Sequence, residues 1–156
     1  MDFAIRKAAA DDARHLALLL GGIGWFEAFA SAPIDTSTAR VSARLRESLA
    51  DASHSVYVAE TQAGEIAGYG SVHWLPYLFM AGPEGYVSEL FVRESARGQG
   101  VGGQLLDAIE SEARARGCTR LSLINLRHRE SYRRQFYVKA GWQERDTAAN
   151  FIYALP

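Results

Sequence analysis

Between residues 86 and 125 the hydrophobic period changes twice, and that switch limits the fold more than any other feature. "YVSELFV" (86–92) has the apolar, β-branched and aromatic character of a strand. Val101, Leu105, Ile109 and Ala113 then recur at helical spacing, and Gly117 closes the helix. "RLSLIN" (120–125) reads as a strand again. Strand, helix and strand in that order make a βαβ crossover with its two strands parallel in one sheet. Gly98, Gly100, Gly102 and Gly103 fall between the first strand and the helix.

The chain before this unit has a different pattern. Phe3 and Ile5 alternate with polar or small residues in a short first strand. "ADDARHLALLL" follows, with Asp11 or Asp12 placed to cap a helix that buries Leu16, Leu19 and Leu20. A second helix is expected over 36–50, with Val41, Leu45 and Leu49 on one face. "SVYVAE" (55–60), the turn "TQAGE" and "IAGYGSVHWL" (66–75) read as two strands of a meander. After the crossover, "SYRRQFYVKAG" (131–141) reads as one helix, and "WQERDTAANFIYAL" as two final strands around Ala148–Asn150. The expected fold is α+β, or mixed α/β. A mixed, mostly antiparallel sheet contains one parallel pair and is flanked by about four helices.

A chain of 156 residues with 17 basic and 18 acidic side chains fits one domain, spanning 1–156, without a global pull toward nucleic acid or anionic lipid. Cys118 has no partner for an internal disulfide, which suits a reducing compartment, and a cytoplasmic location is expected. The start of the chain shows no signal-peptide pattern, and the apolar run Leu16–Leu20 is too short to span a bilayer. His15, His54, His73 and His128 show no metal spacing, so no metal is expected.

The glycine cluster spells two different motifs. Gly98, Gly100 and Gly103 give G-x-G-x-x-G, the dinucleotide fingerprint. That reading needs a strand running straight into the loop and an acidic residue about 20 positions later. Here "RESA" intervenes, and "CTRLSLIN" contains no acid. The general physics is independent of the motif. Glycines expose successive N–H groups, the helix N-terminus adds unpaired donors and a positive dipole, and Arg97 adds charge. Together they suit a phosphate or pyrophosphate.

Arg97-x-x-Gly100-x-Gly102, inside "ELFVRESARGQGVGGQLL", resembles the acyl-CoA signature of the GNAT superfamily of N-acetyltransferases. "FYVKAGW" (136–142) resembles the late helix of the same superfamily, and the element order agrees along most of the chain. The resemblance implies a splayed strand pair that holds acetyl-CoA, the expected co-substrate. Backbone groups of Leu90, Phe91 and Val92 would take the pantetheine arm. N–H groups of Arg97, Gly98, Gln99, Gly100, Val101, Gly102 and Gly103 would take the pyrophosphate. One N–H of the 90–92 stretch would polarise the thioester carbonyl.

The resemblance also assigns chemical roles. Tyr137, four residues before Gly141, is the expected general acid toward the leaving thiolate. Glu89, beside the thioester position and expected to share a strand face with Val87 and Phe91, is the expected base. His73 is the alternative base. Asn125 reads equally as a pantetheine ligand or a turn cap. Ser131 is an expected polar contact, because Glu130 and Arg133 stand where the superfamily often has Asn and a small residue. The basic stretch "RHRESYRR" (127–134) reads either as a 3′-phosphate contact or as a solvated face.

The acceptor is the least constrained part. Two aromatic-rich segments, "GGIGWFEAFASAPID" (21–35) and "WLPYLFMAGPEG" (74–85), offer Trp25, Phe26, His73 and Tyr77 as substrate contacts. The expected partner is a small-molecule or peptide amine, with neither nucleic acid nor membrane. A homodimer through the final strands or an apolar patch stays open. The rival readings are a module that binds acyl-CoA without reacting and a nicotinamide-dependent oxidoreductase.

Overall fold

A computed structural model of the chain describes residues 2–155. The described residues group into two units, one running to Ile124 and one starting at Asn125. The first unit holds strands β1 (Phe3–Lys7), β2 (His54–Thr61), β3 (Ile66–Leu75), β4 (Glu84–Val92) and β5 (Arg120–Leu123). Its helices are α1 (Ala13–Ile23), the single turn α2 (Glu27–Ala30), α3 (Ile34–Ser48) and α4 (Val101–Ala115). The sheet order is β1-β2-β3-β4-β5. The first four strands pair antiparallel in sequence order, and β5 joins β4 in parallel, as the crossover requires.

The two faces of this sheet are built differently. Helix α4 covers one, packing Val101 and Leu105 against Ala59, Ala67, Leu90 and Val92. Gly68 and Gly70 on β3 make room for it. A Cβ on Gly68 would stand 2.8 Å from the Phe91 carbonyl oxygen and 3.1 Å from Val101, and one on Gly70 would stand 3.0 Å from Ile109. Glu112 pins the helix to the strands. Its carboxylate accepts hydrogen bonds from Lys7, Ser55, Tyr57 and Arg116. Burial pushes the Glu112 pKa up, but these four donors outweigh it and pull it down to about 2.

Helices α1 and α3 cover the other face. Leu16 and Leu19 of α1 and Val41 and Leu45 of α3 pack on Val56, Val58 and Tyr69. Leu49, expected on the same buried stripe, lies beyond the end of α3 and is exposed. Asp12 does occupy the N-cap position of α1, but its carboxylate caps no helix N–H. It binds the Arg6 guanidinium through two oxygens at 2.8 Å and accepts the Ala9 N–H.

The second unit corrects two expectations. The single helix expected over 131–141 is two turns, α5 (Glu130–Arg133) and α6 (Phe136–Lys139), separated by Gln135 at φ +55°. A left-handed residue between them breaks the helical path. No strand forms around Ala148–Asn150, and Phe151, Ile152, Tyr153 and Leu155 stand exposed. The described chain therefore carries six helices, three of them single turns, rather than about four.

Candidate active site

The parallel pairing of β4 with β5 stops at Val87–Leu123, while β4 continues to Val92. Among the described residues, β4 beyond Val87 pairs as a strand only with β3, where Gly70, Tyr69 and Gly68 face Leu90, Phe91 and Val92. Alternate backbone groups of an antiparallel strand point away from its partner. This stretch of β4 therefore presents N–H and C=O groups to an open edge.

The edge leads through a 3-10 turn (Glu94–Ala96) into the glycine loop. Gly98 and Gly100 adopt φ of +75° and +82°, which a side chain would oppose. Gly100 is the N-cap of α4, so the N–H groups of Val101, Gly102 and Gly103 have no intrahelical acceptor. A Cβ at Gly98 or Gly103 would meet nothing within 4 Å. The glycines thus border open space rather than a packed neighbour, which is the cradle a pyrophosphate needs. The Arg97 N–H is already donated to Glu94 O, and its Nε donates to Val92 O at 3.3 Å. The donors available to a ligand accordingly start after its amide.

A bulge in β4 sets the direction of Glu89. Ser71 pairs with Glu89, but the next residue, Val72, pairs with Val87, leaving Ser88 as the extra residue. Neighbouring residues of a strand face opposite sides. Val87 is therefore buried with Val72 toward α4, while Glu89 shares the α1/α3 face with Ser71 and Phe91. The expectation that Glu89 shares a face with Val87 fails because of this one inserted residue. Glu89 remains accessible, yet the protein around its carboxyl raises its pKa, against a smaller downward pull from the Tyr69 hydroxyl. An accessible carboxylate crowded by neighbouring side chains has both properties, since water reaches it while its neighbours strip part of its solvation.

Aromatic rings gather beside it. Trp25, Phe26 and Tyr69 each contact Phe91, with ring centroids at 5.8, 5.5 and 5.7 Å. Phe29 packs on Phe26. The structure thus unites Trp25 and Phe26 with the strand of Glu89. Tyr77 is not among them. It pairs with Phe79 in the exposed β3–β4 turn. Trp74, in the other aromatic-rich segment, is buried and donates its Nε1–H to Ser55 Oγ.

A polar patch lies toward the other end of the same face. His54 pairs with His73 across β2 and β3, and the two rings stack at 3.9 Å. His54 Nε2 lies 2.6 Å from Ser71 Oγ, and His73 Nε2 lies 3.0 Å from Ser88 Oγ. Burial first, and the neighbouring His73 second, lower the His54 pKa to about 4; burial also lowers that of His73.

In the second unit, Tyr137 packs against Phe136 and Trp142. Burial pushes its phenol up to about 12, with Arg134 opposing, so it stays protonated at neutral pH. Ser131 Oγ donates to Asn125 Oδ1 at 2.9 Å, which joins the two expected polar contacts. Within the basic stretch, Arg127 pairs with Glu144, and Arg134 lies over the Phe136 ring.

Residues 23–142 match the model of the acetyltransferase (GNAT) family. The chain belongs to that family. An aminoalkylphosphonate N-acetyltransferase of Salmonella typhimurium is 39% identical over 83 residues, covering 52% of each chain. An L-methionine sulfoximine/L-methionine sulfone acetyltransferase of Pseudomonas aeruginosa is 41% identical over 66 residues, covering 41% of this chain and 37% of the relative. The chain thus matches only 52% and 37% of the length of these two relatives. Among solved structures, a transcriptional regulator from Bacillus halodurans superposes with TM-score 0.83 at 22% identity, covering 98% of this chain and 99% of its own. Glucosamine-6-phosphate N-acetyltransferase from Arabidopsis thaliana superposes with TM-score 0.76 at 23% identity, covering 99% and 100%. These likenesses give the fold.

Membership of the GNAT family sets aside the dinucleotide reading of the glycines. Among the described residues, no three His, Cys, Asp or Glu side chains are grouped to hold a metal ion, and no helix is long and apolar enough to cross a membrane. Sequence reasoning missed Tyr69, Ser71, Ser88 and His54 around Glu89. Strict alternation puts Ser88 and Glu89 on opposite faces, and only the bulge brings both to one side.

Proposed function

We infer that this GNAT chain transfers an acetyl group from acetyl-CoA to a primary amine of a small molecule or peptide by direct attack. It acts as one domain in the cytoplasm, and the family match supports one domain by running from residue 23 to 142, across both units. The observation that carries the reading is the free edge of β4 leading into the loop at Gly98–Gly103, where open space lies over two glycines and three helix N–H groups lack acceptors. Acetyl-CoA, when bound, supplies an activated acetyl thioester.

The chain's residues supply the rest. The β4 edge from Leu90 to Val92 orients the pantetheine arm as an added strand, and one of its N–H groups donates to the thioester carbonyl. The loop N–H groups bind the pyrophosphate. Asn125 and Ser131 contribute polar contacts to the cofactor. The Glu89 carboxylate takes a proton from the acceptor ammonium, so that its nitrogen lone pair is free to attack, and its raised pKa improves that match. Tyr137 Oη gives its proton to the leaving sulfur. Trp25 and Phe26 contact the acceptor's apolar part.

Calorimetric titration with acetyl-CoA beside NADH, followed by thiol release with an amine panel, tests this reading. Aminoalkylphosphonates and methionine sulfoximine begin the panel because relatives are named for them. Acetyl-CoA binding with turnover is the expected result. Binding without turnover on any amine would make the chain a sensing module. NADH binding in place of acetyl-CoA would overturn the reading.

A further inference from the structure

Among the described residues, Gln135 is the one residue other than glycine with a positive φ, +55°. It joins two turns of helix. Its N–H donates to the Tyr132 carbonyl of α5, and its own carbonyl accepts the Lys139 N–H as the N-cap of α6. Gln135 follows the C-cap of α5, where a left-handed residue is usually glycine and sometimes asparagine. A glutamine there is opposed by its own Cβ and persists only where its surroundings over-determine it. Residues held in this way gather at functional sites. Tyr137, the phenol assigned to the leaving sulfur, comes two residues later.

The far end of α6 is fixed without strain. Gly141 takes a left-handed conformation at φ +90°. The Trp142 N–H donates to the Tyr137 carbonyl and the Gly141 N–H to the Val138 carbonyl, the paired bonds of a Schellman motif. The Trp142 ring lies 5.9 Å from the Tyr137 ring. Gln135 sets the near end. An uninterrupted helix over 130–139 would carry Tyr137 into one row with Arg134 and Arg133, three and four residues before it. The left-handed turn breaks that row. Arg134 lies over the Phe136 ring instead, and Tyr137 packs against Phe136 and Trp142. Arg134 still opposes the effect of burial on the phenol. Glu144, beyond Trp142, is taken up by the Tyr132 hydroxyl and Arg127.

We infer that Gln135 is a positioning residue, whose left-handed turn swings Tyr137 out of the arginine row and into the aromatic contacts from which its phenol donates. This role rests on Tyr137 being the acid. In the arginine row the phenol would lose its proton more readily, because two cations favour the phenolate. Among aromatic rings it keeps the proton available for the departing thiolate.

The test replaces Gln135 in the full chain. Gln135→Asn and Gln135→Gly keep a residue that accepts left-handed backbone, whereas Gln135→Val installs a β-branched residue that does not. Gln135→Ala favours a continuous helix and should act like the valine variant in smaller measure. Circular dichroism and thermal unfolding establish that each variant is folded. Gln135→Val is expected to lower kcat about tenfold with KM for acetyl-CoA unchanged, using an aminoalkylphosphonate or methionine sulfoximine as the probe amine. The asparagine and glycine variants should stay within about twofold of the wild type. A second readout needs no substrate. Phenol absorbance of each chain is titrated beside its Tyr137→Phe counterpart, so that the difference isolates one phenol. Between about pH 8 and 11 the wild type should keep Tyr137 largely protonated, while Gln135→Val should ionise it near the ordinary value of about 10. An unshifted titration in Gln135→Val would overturn the positioning role. So would a loss confined to KM, or asparagine and glycine variants as impaired as the valine one. A large loss in Tyr137→Phe beside an unchanged Gln135→Val would overturn the positioning role and leave the acid in place. No loss in Tyr137→Phe would remove both.

Discussion

The two faces of the sheet use the same strands for opposite purposes. Toward α4, β3 presents Gly68, Gly70 and Val72, and the helix comes close enough to crowd a Cβ on either glycine. The charge cluster around Glu112 there is closed, with four side-chain donors on one carboxylate. Toward α1 and α3, β3 presents Tyr69, Ser71 and His73, and β4 adds Glu89 and Phe91. On that face Arg6 is paired with Asp12 and Glu60, and Glu84 with Arg120, but the Glu89 carboxyl is left poised. The carboxyl of Glu89 is raised and that of Glu112 lowered, although burial pushes both up. The difference lies in the number of donors. Four donors make Glu112 a structural anion, whereas one hydroxyl leaves Glu89 able to take a proton.

Substitutions on the two faces should therefore separate activity from stability. The largest effect is expected from Glu89→Gln, which should lower kcat/KM about a hundredfold to a thousandfold and leave thermal unfolding unchanged. In the wild type, kcat/KM should rise with pH through a limb above the ordinary carboxylate range, because the base works only when deprotonated and its pKa is raised. A limb at or below that range would break the contrast between the faces.

Leu105→Ala, on the α4 face, should show the reverse. It should destabilise the fold by about 3 kcal/mol in denaturant unfolding and leave kcat of the folded fraction intact. Gly100→Trp, at the loop between the two regimes, should weaken acetyl-CoA binding about a hundredfold, ~2.7 kcal/mol, and destabilise the fold by only about 1 kcal/mol through the left-handed backbone at that position.

Glu112→Gln should cost about 2 kcal/mol at neutral pH, because four donors, the buried Ser55 among them, lose their anion. The depressed pKa fixes the pH window. The contribution of Glu112 is complete above its unfolded value near 4.5 and is lost as pH falls toward about 2. Unfolding curves of variant and wild type should converge across that range. The smallest effect is expected from Trp25→Ala, which should raise KM for apolar amines about fivefold, ~1 kcal/mol, while kcat stays the same.

Local pattern carried much of the site into view. The glycine loop, the α4 stripe and the strand of Glu89 are short-range features, and Val101, Leu105, Ile109 and Ala113 are buried where their spacing put them. The late helix was legible only in part. Its residues favour helix, but Gln135 takes a left-handed conformation and divides it. The neighbours of Glu89 were hidden by two bulges. Counting back from the Glu60–Ile66 pair without interruption sets His54 opposite Val72. The irregularity at Ala59/Glu60 shifts the register by one and sets it opposite His73.

The sequence by itself determined the order of elements, the crossover that makes β5 parallel to β4, and the glycine cradle at the start of α4. Periodicity and backbone freedom act over a few residues, so they can be read along the chain. Only the tertiary structure decided which side chains stand together around Glu89. A strand has two faces, and a single inserted residue exchanges them. That choice is made by helix packing and strand register across the sheet, where residues 17 to 66 positions apart meet.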